Sequence, residues 1–169
     1  MKNIVLTGFM GAGKTSVARE LSSRLGMKIV DMDDEIEKEQ GMTINDIFAR
    51  FGEERFRELE SEMAKKVSGL SGAVISTGGG IVLRKENITH LRTNGHVVCL
   101  MVSPEAVLKR TSGSDVRPLL NVNDPLGKIK ELLDHRMPFY KNADIIIETD
   151  DRSPRQVADE IIEELKWKE

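Results

Sequence analysis

From Ile4 to Thr15 the chain reads IVLTGFMGAGKT, an apolar run that passes directly into a glycine-rich turn ending on lysine and threonine. The residues that follow, Ser16 to Leu25, carry helical periodicity. Each fixed position of Gly8 to Thr15 has a physical reason. Gly8, Gly11 and Gly13 let the backbone curl so that successive N–H groups point at one anion without Cβ collisions. Ala12 and Ser16 lie on the same curl, and a helix starting near Lys14 adds the positive end of its dipole. Lys14 supplies a mobile point charge for outer phosphates, and the Thr15 hydroxyl can ligate Mg²⁺. The spacing is that of a phosphate-binding loop on a strand–turn–helix unit, so the chain is expected to bind a nucleoside triphosphate.

The rest of the chain extends that unit. Strands are expected at Asn3–Leu6, Lys28–Asp31, Ala73–Ser76, His96–Val102 and Ile145–Glu148. Four of them are rich in Val and Ile with little polar alternation, as strands buried on both faces are. Amphipathic segments at Thr15–Leu25, Ile44–Phe51, Glu53–Val67, Pro104–Arg110, Asp124–Tyr140 and Pro154–Trp167 lie between them. This alternation predicts an α/β fold, a parallel sheet with helical crossovers and ligands gathered at the carboxyl ends of the strands.

At 169 residues and 39% hydrophobic content, one domain spanning 1–169 can bury a core. The connection 32–72 holds more helix than a crossover needs and reads as a substrate-binding insertion. Residues 111–123 combine Gly, Ser, Asn and Pro118 without periodicity, the pattern of a functional lid. Charged residues make up 31% and leave a net charge of only −3, so nucleic acid is not an expected partner. The single Cys99 sits in an apolar run and reads as a buried thiol in a reducing cytoplasm. No signal-like or membrane-length apolar run occurs, so a cytoplasmic chain with no membrane partner is expected, acting as a monomer.

Four further groups bear on chemistry. Asp31-Met32-Asp33 follows the second strand. In an extended segment both carboxylates turn the same way, toward the loop, one to hold Mg²⁺ through water and one to engage a hydroxyl. The alternative is that Asp33 or Asp34 caps a helix beginning near Glu35. Arg57 and Glu60 lie three apart on one helix, so the carboxylate can orient the guanidinium. With Phe56, Ile44 and Phe48 nearby, this suits a small carboxylate ligand, although a solvated pair has the same spacing. Gly78, Gly79 and Gly80 in a row imply close approach of backbone to a ligand. Arg110, Arg117 beside Pro118 and Arg136 are further basic candidates; a lid arginine can neutralise a transferring phosphoryl group. The three histidines show no metal spacing.

Taken in order, GFMGAGKT (8–15), DMD (31–33), GEERFRELE (52–60), STGGG (76–80), VRPLL (116–120) and HRMPFY (135–140) resemble the shikimate kinase family over nearly the full length. The resemblance implies a five-stranded parallel sheet in the order 2-3-1-4-5. It also implies transfer of the γ-phosphoryl of ATP to the 3-hydroxyl of shikimate, a step toward the aromatic amino acids, with Mg²⁺ and with ATP as co-substrate. It assigns Lys14 to the phosphates, Thr15 and Asp31 to the metal, and Asp33 to the ring hydroxyls as base or orienter. Arg57 and Arg136 would clamp the carboxylate, with Gly78, Gly79 and Gly80 beside it. Arg117 would reach the phosphates, and Arg110, Arg152 and Pro154 would flank adenine. Ile44, Phe48, Phe56, Pro118 and Leu119 would wall the ring. Another small-molecule kinase on this scaffold, such as a gluconate kinase, is the nearest rival. A nucleotide-dependent switch is the more distant one, and no Asn-Lys-x-Asp guanine-reading motif occurs.

Overall fold

In a computed structural model of the chain, residues 1–112 and 122–166 are described. Five parallel strands form one sheet in the order β2-β3-β1-β4-β5. They are β1 (Asn3–Gly8), β2 (Lys28–Asp31), β3 (Ala73–Ser76), β4 (Gly95–Met101) and β5 (Ile145–Glu148). β1 is central: Leu6 pairs with Ser76 of β3 and Leu6 with Val98 of β4. Every residue of β1 and β3 is buried, which is why their sequences are unbroken by polar alternation. The outer strands differ from the expectation of burial on both faces. Ile29 of β2 and Ile146 of β5 remain exposed, because an edge position is set by topology and leaves no mark in a four-residue apolar run.

Helices cover the sheet. α1 (Lys14–Leu25) ends on Gly26 at φ 66°, a left-handed stop that glycine accepts without strain. α2 (Met32–Gln40) and α3 (Ile44–Val67) fill the 32–72 connection. α3 is broken at Gly52, whose φ of 81° and ψ of 173° separate the two helical segments expected from the periodicity. α5 (Pro104–Thr111), α6 (Pro125–Tyr140) and α7 (Pro154–Lys166) match expectation within two residues. α4 (Lys85–Thr93), preceded by a 3₁₀ turn at Ile81–Leu83, was not anticipated. Its polar composition, KENITHLRT, buries only Asn87, Ile88 and Leu91, a stripe too narrow to stand out.

The Asp31-Met32-Asp33 segment also departs from the extended reading. Helix α2 begins at Met32, and Asp31 is its N-cap: its carboxylate accepts from the Asp33 and Asp34 N–H groups. Neither Asp33 nor Asp34 is the cap. Met32 turns into the core, while Asp33 faces the carboxyl end of the sheet near Gly78. Cys99 is fully buried, and burial pushes its thiol up to about 11. Among the described residues no helix is long and apolar enough to cross a membrane.

Candidate active site

The loop after β1 and the glycine run after β3 leave neighbouring strands at the point where the strand order reverses, the crevice where such sheets bind ligands. Gly8, Gly11 and Gly13 have φ values of 139°, 78° and 93°, so side chains are excluded there by backbone conformation. At Gly8 a Cβ would also lie 2.5 Å from the Leu100 carbonyl oxygen. Gly13 opens α1 with no side-chain cap, leaving the helix N-terminus to an outside anion. The Lys14 ammonium donates to the carbonyls of Gly8 (2.7 Å) and Phe9 (3.0 Å), which holds it across the mouth of the loop. Thr15 and Ser16 are exposed at the start of α1, and Ala12 is packed inside.

Gly78–Gly80 forms the opposite wall, and its glycines are required by neighbours rather than by backbone angles. None of the three has positive φ. A Cβ on Gly80 would fall 2.5 Å from Arg57 Cζ and closer still to Nη1. One on Gly78 would lie 2.8 Å from Glu60 Oε1 and 3.1 Å from Asp33 Oδ1. A Cβ on Gly79 would lie 3.6 Å from Arg136 Nη1 and 3.5 Å from the Met10 amide nitrogen of the loop after β1. The turn therefore gathers two arginines and two carboxylates around itself and abuts the loop directly.

These side chains are charged, buried and incompletely satisfied. Arg57 donates to Glu60 Oε2 at 2.5 Å and to Glu53 Oε1 at 3.2 Å. Burial opposes its charge, but Glu60 and Glu53 outweigh that and hold the guanidinium protonated. Phe56 lies beneath the guanidinium at 5.4 Å and against the Phe48 ring at 4.9 Å. Arg136 is buried over the Phe9 ring at 5.6 Å. Burial, reinforced by the charge of Asp31, raises the Asp33 carboxyl to about 6, with Lys14 pulling the other way. Burial likewise raises Glu60 to about 6 against the pull of Arg57. Asp33 Oδ1, Glu60 Oε1 and Arg57 Nε are buried without a hydrogen-bond partner. Protein interiors rarely leave three such atoms in one place, and a polar ligand would satisfy them.

Other candidates lie away from this wall. Arg110 donates to the Gly11 carbonyl at 3.0 Å and to the Thr149 carbonyl at 2.8 Å, tying α5 to the loop and to the end of β5. Arg152 donates to the Glu148 carbonyl at 2.9 Å and pairs with Glu160, and Pro154 opens α7. Ile44 is partly buried against the core. Arg117, Pro118 and Leu119, with nearly all of the 111–123 lid, lie outside the described residues, as does Trp167. Sequence reasoning paired Glu60 with Arg57 but did not place it on the site wall. It also missed Phe9 beneath Arg136 and the contact of Tyr140 with Gly79; for Tyr140 the four-residue spacing from Arg136 was the available signal.

A divalent cation would find oxygen donors here: the Thr15 hydroxyl and the carboxylates of Asp31 and Asp33. Among the described residues no cluster of three or more His, Cys, Asp or Glu side chains could hold a metal alone. Hard oxygens in too small a number for a cage fit Mg²⁺ carried largely by phosphates and water.

Comparison with known proteins agrees with the architecture. A family model described as shikimate kinase matches residues 10–166. The shikimate kinase of Thermodesulfovibrio yellowstonii is 49% identical, over 97% of this chain and 95% of its own length. That of Caldicellulosiruptor bescii is also 49% identical, over 96% and 94%. A solved shikimate kinase from Acinetobacter baumannii, in complex with shikimate, superposes with a TM-score of 0.95 at 38% identity, covering 100% of this chain and 95% of its own. With the phosphate loop, the strand order and these matches in agreement, the chain belongs to the shikimate kinase family.

Proposed function

We propose that this chain transfers the γ-phosphoryl group of ATP to the 3-hydroxyl of shikimate, giving shikimate 3-phosphate and ADP. The observation that carries the acceptor half is the cluster of unpaired buried atoms, Asp33 Oδ1, Glu60 Oε1 and Arg57 Nε, beside Arg136 and against the phosphate loop. A small ring bearing one carboxylate and several hydroxyls matches it group for group: guanidinium to carboxylate, carboxylate to hydroxyl.

The donor phosphates rest on the curl formed by Gly11, Ala12, Gly13, Lys14, Thr15 and Ser16 at the start of α1, with the Lys14 ammonium against the outer phosphates. Thr15 and Asp31 would hold Mg²⁺, which would neutralise phosphate charge when bound. Arg57 and Arg136 fix the acceptor carboxylate beside Gly79, and Phe48 and Phe56 back the ring with Ile44. That fixes where the 3-hydroxyl lies. The Asp33 carboxylate accepts its hydrogen bond and its proton as the hydroxyl oxygen bonds to the γ-phosphorus and the bond to the ADP oxygen breaks. The transition state is loose and charged, so positioning and electrostatics do most of the catalysis. Residues 32–72 form the acceptor-binding insertion in this reading. The family resemblance assigns Arg117 to the phosphates and Pro118 and Leu119 to the acceptor ring, and Arg110, Arg152 and Pro154 flank adenine. All roles fall to one chain, so a monomer suffices.

The test is an ADP-release assay run side by side with shikimate, gluconate and nucleoside monophosphates. Phosphorylation of shikimate alone is expected. Turnover of gluconate with none of shikimate overturns the acceptor assignment, and nucleotide binding without transfer to any acid overturns the kinase reading.

A further inference from the structure

Tyr140 closes α6 with its side chain fully buried, and its O–H donates to the Gly79 carbonyl at 2.7 Å. One helical turn earlier on the same face lies Arg136, whose charge works on the phenol against the burial that raises its pKa. The phenol thus sits between two parts of the acceptor wall: the middle glycine of the turn and one of the two buried guanidinium groups. Gly79 offers no side chain of its own to hold it, and Arg136 Nη1 lies 3.6 Å from where its Cβ would be. From the other side the turn is held at Ile81, whose carbonyl accepts from the buried Asn87 side chain at 3.1 Å. Pro138, between Arg136 and Tyr140, has no N–H to offer, so this end of α6 relies more on its side-chain contacts.

We propose that Tyr140 is a positioning residue for acceptor binding, its hydroxyl locking Gly79 and the Arg136 guanidinium in register with each other. The inference rests on the acceptor reading above. Without the hydroxyl, the Gly79 carbonyl loses the donor that holds it, and the Arg136 guanidinium loses the polar group beside it. The phosphate loop keeps all of its own hydrogen bonds.

The test is Tyr140→Phe, which keeps the ring and removes only the hydroxyl. The KM for shikimate is expected to rise about tenfold, corresponding to about 1.4 kcal/mol, with the KM for ATP within twofold and kcat little changed. Ile161→Ala, on the buried face of α7, serves as the stability control: it lowers Tm but leaves the shikimate KM unchanged. Tyr140 is the only tyrosine in the chain, so labelling with 3-fluorotyrosine reports on this phenol alone, even should the Phe variant fold poorly. Shikimate is expected to shift the single ¹⁹F resonance. A shikimate KM within twofold of wild type, equal losses for both substrates, or an unmoved resonance at saturating shikimate overturns the proposal. An enzyme inactive on shikimate would instead overturn the acceptor reading itself.

Discussion

Arg57 occupies the space that a side chain at Gly80 would need: a Cβ there would lie 2.5 Å from the guanidinium carbon. The glycine run and the arginine, more than twenty residues apart in sequence, are therefore one structural unit. Gly80→Ala is expected to push Arg57 off Glu60, raising the KM for shikimate at least tenfold and lowering Tm by several degrees. A crystal structure of the variant with Arg57 undisplaced would contradict the mechanism.

Arg57→Ala removes the guanidinium while leaving the phosphate loop intact. The KM for shikimate should increase well over tenfold and ATP affinity should barely change. Steady-state kinetics with each substrate varied, plus nucleotide titration calorimetry, would separate the two. Equal loss of both affinities would count against a carboxylate clamp. The buried Glu60 loses its partner in this variant, so stability should fall as well.

Asp33 is held near 6 in the folded chain against an ordinary value of 3.8. Between about pH 4 and pH 6 the folded state therefore retains a proton that the unfolded state has released, and this group costs stability as pH rises through that window. Asp33→Asn removes the cost. The variant should melt several degrees above wild type at pH 7, a stabilisation of up to about 3 kcal/mol, with little difference at pH 4, while losing nearly all activity. Thermal melts of the ligand-free proteins across pH 4–8 check the first part. In the wild type, kcat/KM should fall as pH drops through about 6, because Asp33 must be ionised to accept the hydroxyl proton. Glu60 is raised to a similar value and should broaden that fall.

Asp31 caps α2 through its carboxylate and is also a candidate for the metal. Asp31→Ser keeps an N-cap oxygen and removes the charge. Tm should change by about 1 kcal/mol equivalent or less, while kcat should fall about tenfold or more and the Mg²⁺ concentration needed for half-maximal rate should rise. Unchanged Mg²⁺ dependence would assign Asp31 to capping alone.

The conformation of the loop from Gly8 to Lys14 was legible because it is set by neighbouring positions: the positive-φ glycines and the helix start follow one another directly in the chain. The strands β2, β3 and β5 matched their expected bounds because short Val- and Ile-rich runs have few other uses. Helix α4 escaped notice because its buried stripe has three members, one of them Asn87. The geometry of Asp31 and Asp33 was misjudged because a carboxylate at a strand end can cap the next helix and end the extended segment at once. The glycine run was read as making room for a ligand. In the folded chain its missing side chains first make room for Arg57, Glu60 and Asp33.

By itself the sequence determined that a strand, a glycine-rich turn and a helix would come in succession. It also determined that alternating apolar and amphipathic segments would build a sheet around them. Those are local matters of backbone freedom and periodicity. Only the tertiary structure decided which strands lie at the edges and which carboxylates are desolvated enough to titrate near 6. It alone set Arg57, Arg136, Asp33 and Tyr140 around three glycines from a different element. Burial and long-range contact create those properties, and neither is encoded at the residue that carries them.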